Sequence, residues 1–291
     1  MCMPNKRTMI FCLNGEFIDQ KDAKISLLDN GFMFGDAFFD TMRTYKGVVL
    51  ELDRHLVRIK KTAKILHLKL PCSIKELESW IKKTSKINKL DQARMRVTIS
   101  RGEHGFDFLT SKNTTLAITC EPYKKDEKVT INGVSTFTLN FQRPWPEIKS
   151  TNLMPMVQAY HTLQKKKGYE GILVDDLGNV TEGSSTNIFI VKNGEVFTPK
   201  DRMLAGVTRN RVIELVKEMK LKMNIENFHK AELFKADEIF LTNRPREIIP
   251  VIKVDNKKIG TGKPGAITKK IIAAYKKFTE EHTKSHIKDY I

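Results

Sequence analysis

Val180-Thr181-Glu182-Gly183-Ser184-Ser185-Thr186-Asn187-Ile188-Phe189 is the stretch on which the reading of the fold turns. Apolar residues lead into and out of a run of small, hydroxyl-bearing ones. Such a run between two strands brings backbone and hydroxyls close to something, while Glu182 supplies a fixed anion. A carboxylate placed there could hold a proton on a ring nitrogen. A polar hairpin loop with a solvated glutamate has the same composition, and the stretch alone leaves both readings open. The flanking chain is strand-rich: residues 171–175, 187–191 and 195–198 are short apolar runs. Leu177-Gly178-Asn179 and Asn193-Gly194 join them, and Asn-Gly accepts positive φ cheaply. The pattern predicts a meander of antiparallel strands.

Downstream, Gly206-Val207-Thr208-Arg209 lies where a loop becomes a helix, with Val212, Leu215, Val216 and Met219 along one side. A helix N-terminus offers free N–H groups to an anion such as phosphate; Thr208 is equally a common N-cap. A last amphipathic helix is expected over 264–278. Upstream, residues 155–167 read as a helix closed by Gly168 as a left-handed cap, and 129–137 as a strand. Between these two, Lys149 follows the irregular Arg143-Pro144-Trp145-Pro146. If it points inward, desolvation lowers its pKa and makes it a Schiff-base nucleophile, although composition makes it one lysine among many. Glu121 to Lys128 is polar, Pro-punctuated and aperiodic. The expected organisation is therefore an N-terminal domain over 1–121, a linker over 122–128 and a C-terminal domain over 129–291.

The N-terminal half opens as a hairpin, strand 9–14 turning at Asn14-Gly15. A helix follows with Leu56, Ile59, Ala63 and Leu66 on one face, carrying Arg54 and Arg58 and stopped by Pro71. Ser73 and Glu76 form a capping box for the next helix, and strands resume over 95–99 and 115–119. The 291 residues are 40% hydrophobic and 29% charged, which is ordinary for a globular protein and excludes a disordered or fibrous chain. No apolar run approaches the ~18 residues of a membrane span, and Met1 to Arg7 leads into no signal-like segment, so the cytoplasm is expected and a membrane partner is not. Cys2, Cys12, Cys72 and Cys120 lie far apart and are expected as free thiols. The histidines lack ligand spacing, so no metal is expected. Net charge is +17, but the lysines are spread along the chain without interleaved aromatics, which describes a solvated surface and not a specific nucleic-acid site.

Taken in order, these segments resemble the class IV family of pyridoxal-phosphate enzymes, which includes branched-chain aminotransferases, D-amino-acid aminotransferases and 4-amino-4-deoxychorismate lyases. The resemblance runs from Leu13-Asn14-Gly15 through Phe34-Gly35-Asp36-Ala37-Phe38-Phe39-Asp40-Thr41-Met42-Arg43 and His55-Leu56-Val57-Arg58-Ile59 to Pro250-Val251. It is most specific in the combination of Ile148-Lys149-Ser150, the Glu182 loop, Leu204-Ala205-Gly206-Val207-Thr208-Arg209 and Ala236-Asp237-Glu238-Ile239-Phe240-Leu241-Thr242. It implies a two-domain α/β fold, with a smaller N-terminal α/β domain, a larger β-rich C-terminal one and pyridoxal 5'-phosphate at their interface, in a homodimer.

Position by position, the resemblance implies that Lys149 is the Schiff-base lysine and the base and acid of the proton shift. It implies that Glu182 keeps the pyridine nitrogen protonated, and that Arg58 with Val207 and Thr208 binds phosphate; Ser185 and Arg244 complete the implied cofactor ligands. Phe39, Thr41, Arg96, Arg244 and Arg246 are the implied substrate ligands, the arginines as carboxylate donors. Subfamily features mix. Phe39 stands where D-amino-acid enzymes have tyrosine, Thr41 and Asn243 are lyase-like, Arg96 matches branched-chain enzymes, and Glu247-Ile248-Ile249-Pro250-Val251 is aminotransferase-like. The expected function is transamination between an amino acid, branched-chain-like or D, and a 2-oxo acid. The alternative is a lyase releasing pyruvate and 4-aminobenzoate, and a cofactor-less nucleic-acid-binding protein is disfavoured by the retained Lys149 and Glu182.

Overall fold

Strand alternation organises the first of two units in the computed structural model, which describes residues 8–110 and 113–290. Unit 1 comprises 1–124 with Lys149–Asn152 and Thr279–Ile291; unit 2 comprises Lys125–Ile148 and Leu153–Phe278. In unit 1, β1 (Ile10–Leu13), β2 (Glu16–Asp19), β3 (Ala37–Tyr45), β4 (Val48–Val49), β5 (Ala93–Ser100) and β6 (Thr115–Pro122) form an antiparallel sheet in the order β2-β1-β6-β5-β3-β4. Asn14 and Gly15 turn the first hairpin at φ 50° and 94°, as their chemistry predicts. Along β5, Met95, Val97 and Ile99 are buried while Arg94, Arg96 and Thr98 take the other face. The buried face is covered by α2 (Leu52–Ile65) and α3 (Ile74–Asn88), which follow the short α1 (Asn30–Phe34). The α2 stripe of Leu56, Ile59 and Ala63 is buried, and Ser73 and Glu76 make the predicted capping box.

Unit 2 is built on a mixed sheet. Its elements are α4 (Glu127–Asn132), β7 (Val134–Asn140), α5 (Met154–Lys165), β8 (Glu170–Val174), β9 (Val180–Gly183), β10 (Asn187–Lys192), β11 (Glu195–Thr198), α6 (Val207–Glu218), β12 (Met223–Ile225), β13 (Glu238–Asn243), β14 (Glu247–Val254), β15 (Lys257–Lys258) and α7 (Ala266–His286), the last running on into unit 1 residues. The strand order is β12-β11-β10-β13-β14-β7-β8-β9, with β15 on β14. One core holds Ile172, Ile188, Ile190, Ile239, Leu241 and Ile249. Facing the other way, Phe189 and Phe240 stack at 4.8 Å as register partners. Burial of each such side chain contributes about 1.5–3 kcal/mol.

Several sequence expectations change here. Residues 129–132 are helical and not strand, because Asp126 caps α4 through the Lys128 N–H and Gly133 turns out of it at φ 72°. Gly168 is not the left-handed cap of α5; Lys167 takes that conformation, at φ 55°. The meander is broken, since β8 pairs with β7 and β9 while β10 pairs with β11 and β13. The linker span contains the end of β6 and the start of α4. Lys149–Asn152 and Thr279–Ile291 cluster with unit 1 and not with the C-terminal domain. Among the described residues Cys12, Cys72 and Cys120 are free thiols; Cys2 lies outside them. No helix of the described residues is long and apolar enough to cross a membrane.

Candidate active site

Lys149–Asn152 leave the Pro-rich turn in extended conformation and lie antiparallel to the start of β3. The Phe39 N–H donates to the Lys149 carbonyl (2.9 Å) and the Thr151 N–H to the Ala37 carbonyl (3.0 Å). This pairing puts the Lys149 Nζ 4.8 Å from the centre of the Phe39 ring, and Arg96 from β5 stacks on the same ring at 3.7 Å. Thr41 is the register partner of Arg96, so Phe39, Thr41 and Arg96 share one face. The Arg96 Nε donates to the Thr98 hydroxyl (3.0 Å). Burial, with Arg94 nearby, pushes its pKa below the usual arginine value.

Asp40, one residue along β3, projects to the opposite face. There α2 presents Arg58 and His55. Arg58 binds Asp40 bidentately through Nε and Nη2, both at 2.8 Å, and the His55 Nδ1 lies 2.7 Å from the same carboxylate. Asp40 is 2% exposed. Burial opposes its charge, but Arg58 and His55 outweigh that and hold the carboxyl well below the usual carboxylate range. Phe39 and Asp40 are neighbours that serve two different clusters.

In unit 2, the small-residue run is half strand. Glu182 sits in β9, 4% exposed, so it is not a solvated loop glutamate. Its Oε1 accepts from Arg143 Nε (2.8 Å) and its Oε2 from the Leu204 N–H (3.1 Å). Arg143 also donates to the carbonyl of Ile148 (3.1 Å), the residue before Lys149. Sequence reading missed this role; the one signal was a charged residue inside a Pro-rich turn.

Ser185 is tied to Glu170, itself fully buried: the Ser185 N–H (2.6 Å) and hydroxyl (3.2 Å) both donate to Glu170 Oε1. The Arg246 Nη2 binds Glu170 Oε2 (3.0 Å) and Ser185, and Arg244 turns inward to the Tyr275 hydroxyl (3.0 Å), 5% exposed. The two expected carboxylate donors of this turn thus each make an internal contact, Arg246 with Glu170 and Arg244 with Tyr275.

Gly206 is the N-cap of α6 and gives no side-chain cap. A Cβ there would stand 2.1 Å from Asn187 Oδ1, while the Asn187 Nδ2 donates to the Leu204 carbonyl (2.7 Å) and fixes the approach of the chain. Thr208 is therefore the second helical residue and not the cap. It is 3% exposed, and its Oγ1 has no hydrogen-bond partner among the described residues.

Residues 37–254 match the family model of amino-transferase class IV. The chain belongs to the class IV aminotransferases. The match spans the Lys149, Glu182 and Thr208 segments together. This class IV aminotransferase is 36% identical over 285 residues to a Methanocaldococcus jannaschii protein provisionally named a branched-chain-amino-acid aminotransferase, covering 96% of this chain and 98% of that one. It is 33% identical to the D-alanine aminotransferase of Bacillus licheniformis, covering 90% and 94%. The branched-chain amino acid aminotransferase of Escherichia coli superposes with a TM-score of 0.88 at 27% identity, covering 92% and 94%.

Class IV aminotransferases are pyridoxal-phosphate enzymes, and the residues of this chain fit that group. The buried, unpartnered Thr208 hydroxyl beside an uncapped helix N-terminus suits a phosphate. Glu182 suits a ring nitrogen, since a buried carboxylate held in place by Arg143 and the Leu204 N–H favours the charged, protonated form of a ring beside it.

Proposed function

We propose that the chain is a cytosolic, homodimeric, pyridoxal-phosphate-dependent transaminase that takes the amino group of a branched-chain-like or D-amino acid and delivers it to a 2-oxo acid. The observation that carries this reading is the pairing of Lys149 and Arg96 on one Phe39 ring. An amine that handles the substrate nitrogen and a guanidinium suited to its α-carboxylate thereby share one aromatic ring. When bound, the cofactor supplies an electron sink for the charge left at the α-carbon. Lys149 Nζ holds the cofactor, then removes and returns the Cα proton. Glu182, fixed by Arg143, keeps a proton on the ring nitrogen. The Val207 and Thr208 amides and the Thr208 hydroxyl would hold the phosphate; Arg58, braced by Asp40, and Ser185 are the further cofactor ligands that the family resemblance implies. Phe39 walls the substrate beside Arg96, with Thr41 next to it.

The lyase reading draws on Thr41 and Asn243. Asn243 Oδ1, however, accepts the Arg246 N–H (2.9 Å) and so serves the turn. Exposed apolar side chains of unit 1 support self-association: Phe32, Phe106 and Leu109 are 65%, 82% and 92% exposed. The test is a donor panel. Holoenzyme mixed with L- or D-amino acids and no acceptor should lose its visible cofactor band, and 2-oxoglutarate should restore it. If no amino acid affects the band while aminodeoxychorismate yields pyruvate and 4-aminobenzoate, the transaminase reading is wrong.

A further inference from the structure

Arg209, at the third position of α6, is 5% exposed. Its guanidinium reaches the Pro199 carbonyl (2.7 Å), the Thr198 hydroxyl (3.3 Å) and the side-chain oxygen of Asn210 (3.4 Å). All three are uncharged, and among the described residues no carboxylate forms an ion pair with it. Arg101 shows the ordinary solution for a buried arginine, an ion pair with Asp36. A buried cation without a counter-ion is destabilising. Its position in the first turn of a helix, the positive end of the macrodipole, adds to the cost. Burial lowers its pKa to about 10, so it stays protonated at neutral pH.

Beside it are two further deficits: a helix start with no side-chain cap and the buried Thr208 hydroxyl with no partner. One anion at the first amides of α6 answers all three. We propose that Arg209 is the buried counter-charge of the cofactor phosphate, acting through space from inside α6 and so setting phosphate affinity without touching it. Arg209 lies two positions, about 3 Å of helical rise, beyond the first residue of α6, and its buried surroundings are ones that salt screens little. The proposal rests on reading the start of α6 as the phosphate site.

The test titrates the full-length chain with three probes: pyridoxal phosphate, inorganic phosphate, and pyridoxal, which lacks the phosphate. Arg209→Met should weaken the first two by about tenfold, equivalent to ~1.4 kcal/mol, and leave pyridoxal within about twofold, the cutoff being well under that ~1.4 kcal/mol. Arg209→Lys, which keeps the charge but not the fork, should retain most of the affinity; Arg209→Gln replaces the Met variant if that does not fold. Equal losses for pyridoxal and its phosphate, or a Lys variant as weak as the Met one, would reduce Arg209 to a brace between α6 and β11 and overturn the proposal. A Thr208→Val variant separates the two levels. If it leaves phosphate binding intact, the phosphate is not at α6 and the underlying reading fails; if it weakens binding while Arg209→Met does not, only the role of Arg209 is lost.

Discussion

Asp40 and Phe39 are adjacent in sequence and opposed in role, and each has a measurable signature. Asp40 is a buried carboxylate held by Arg58 and His55. Because its folded pKa is depressed, its contribution to stability is complete above the unfolded value of about 3.9. It is lost as pH falls below that value toward the folded one. Asp40→Asn should therefore flatten the acid limb of a stability-versus-pH curve. At pH 7 it should cost about 3–5 kcal/mol, the usual effect of breaking a buried pair by removing one partner, measured by urea unfolding. An unchanged acid limb would mean that another carboxylate controls acid unfolding. Lys149→Ala should abolish the visible cofactor band and nearly all turnover; a cofactor still trapped by borohydride on another lysine would displace the assignment. The motif around Asp40 was readable as a resemblance, but its bond to Arg58 was not. Eighteen positions separate the two, and only the packing of α2 on β3 brings them together.

Elements whose cause is local were legible in advance. Asn14-Gly15 needs positive φ and Ser73 with Glu76 closes a capping box, so hairpin and helix start where the residues say. Elements set by non-local pairing were not. Nothing in residues 171–175 shows that β8 lies beside β7 and not β10, because short apolar strands carry no mark of their neighbours. The start of α6 lies between these cases. The loop-to-helix transition was visible, but the lock between Gly206, Asn187 and Leu204 depends on β10. Gly206→Ala must push its Cβ into Asn187 Oδ1. It should destabilise the protein by about 1–3 kcal/mol and loosen phosphate binding, read as a lower melting temperature and a weaker stabilisation by added phosphate. An unaltered response to phosphate would detach the lock from the site.

At the scale of the whole chain, the +17 charge is assigned to solvation. Any binding to DNA or RNA should be weak, independent of sequence and steeply reduced between about 50 and 200 mM salt, as mobility shifts would show. Tight, sequence-selective binding at physiological salt would revive a nucleic-acid role. The membership of the two units has a consequence for biosynthesis. Unit 1 begins with the first 124 residues yet takes in Lys149–Asn152 and Thr279–Ile291, so a ribosome that has released only the N-terminal part has not released enough chain to finish it. The strand partner of Phe39 arrives 110 residues after it, and the helical segment that joins the same unit, from Thr279 on, arrives later still. The start of nascent β3 must wait with one edge unpaired, while β4 already covers its end; such an exposed edge is the kind on which chaperones act, and a fragment stopped at 124 should aggregate and not fold.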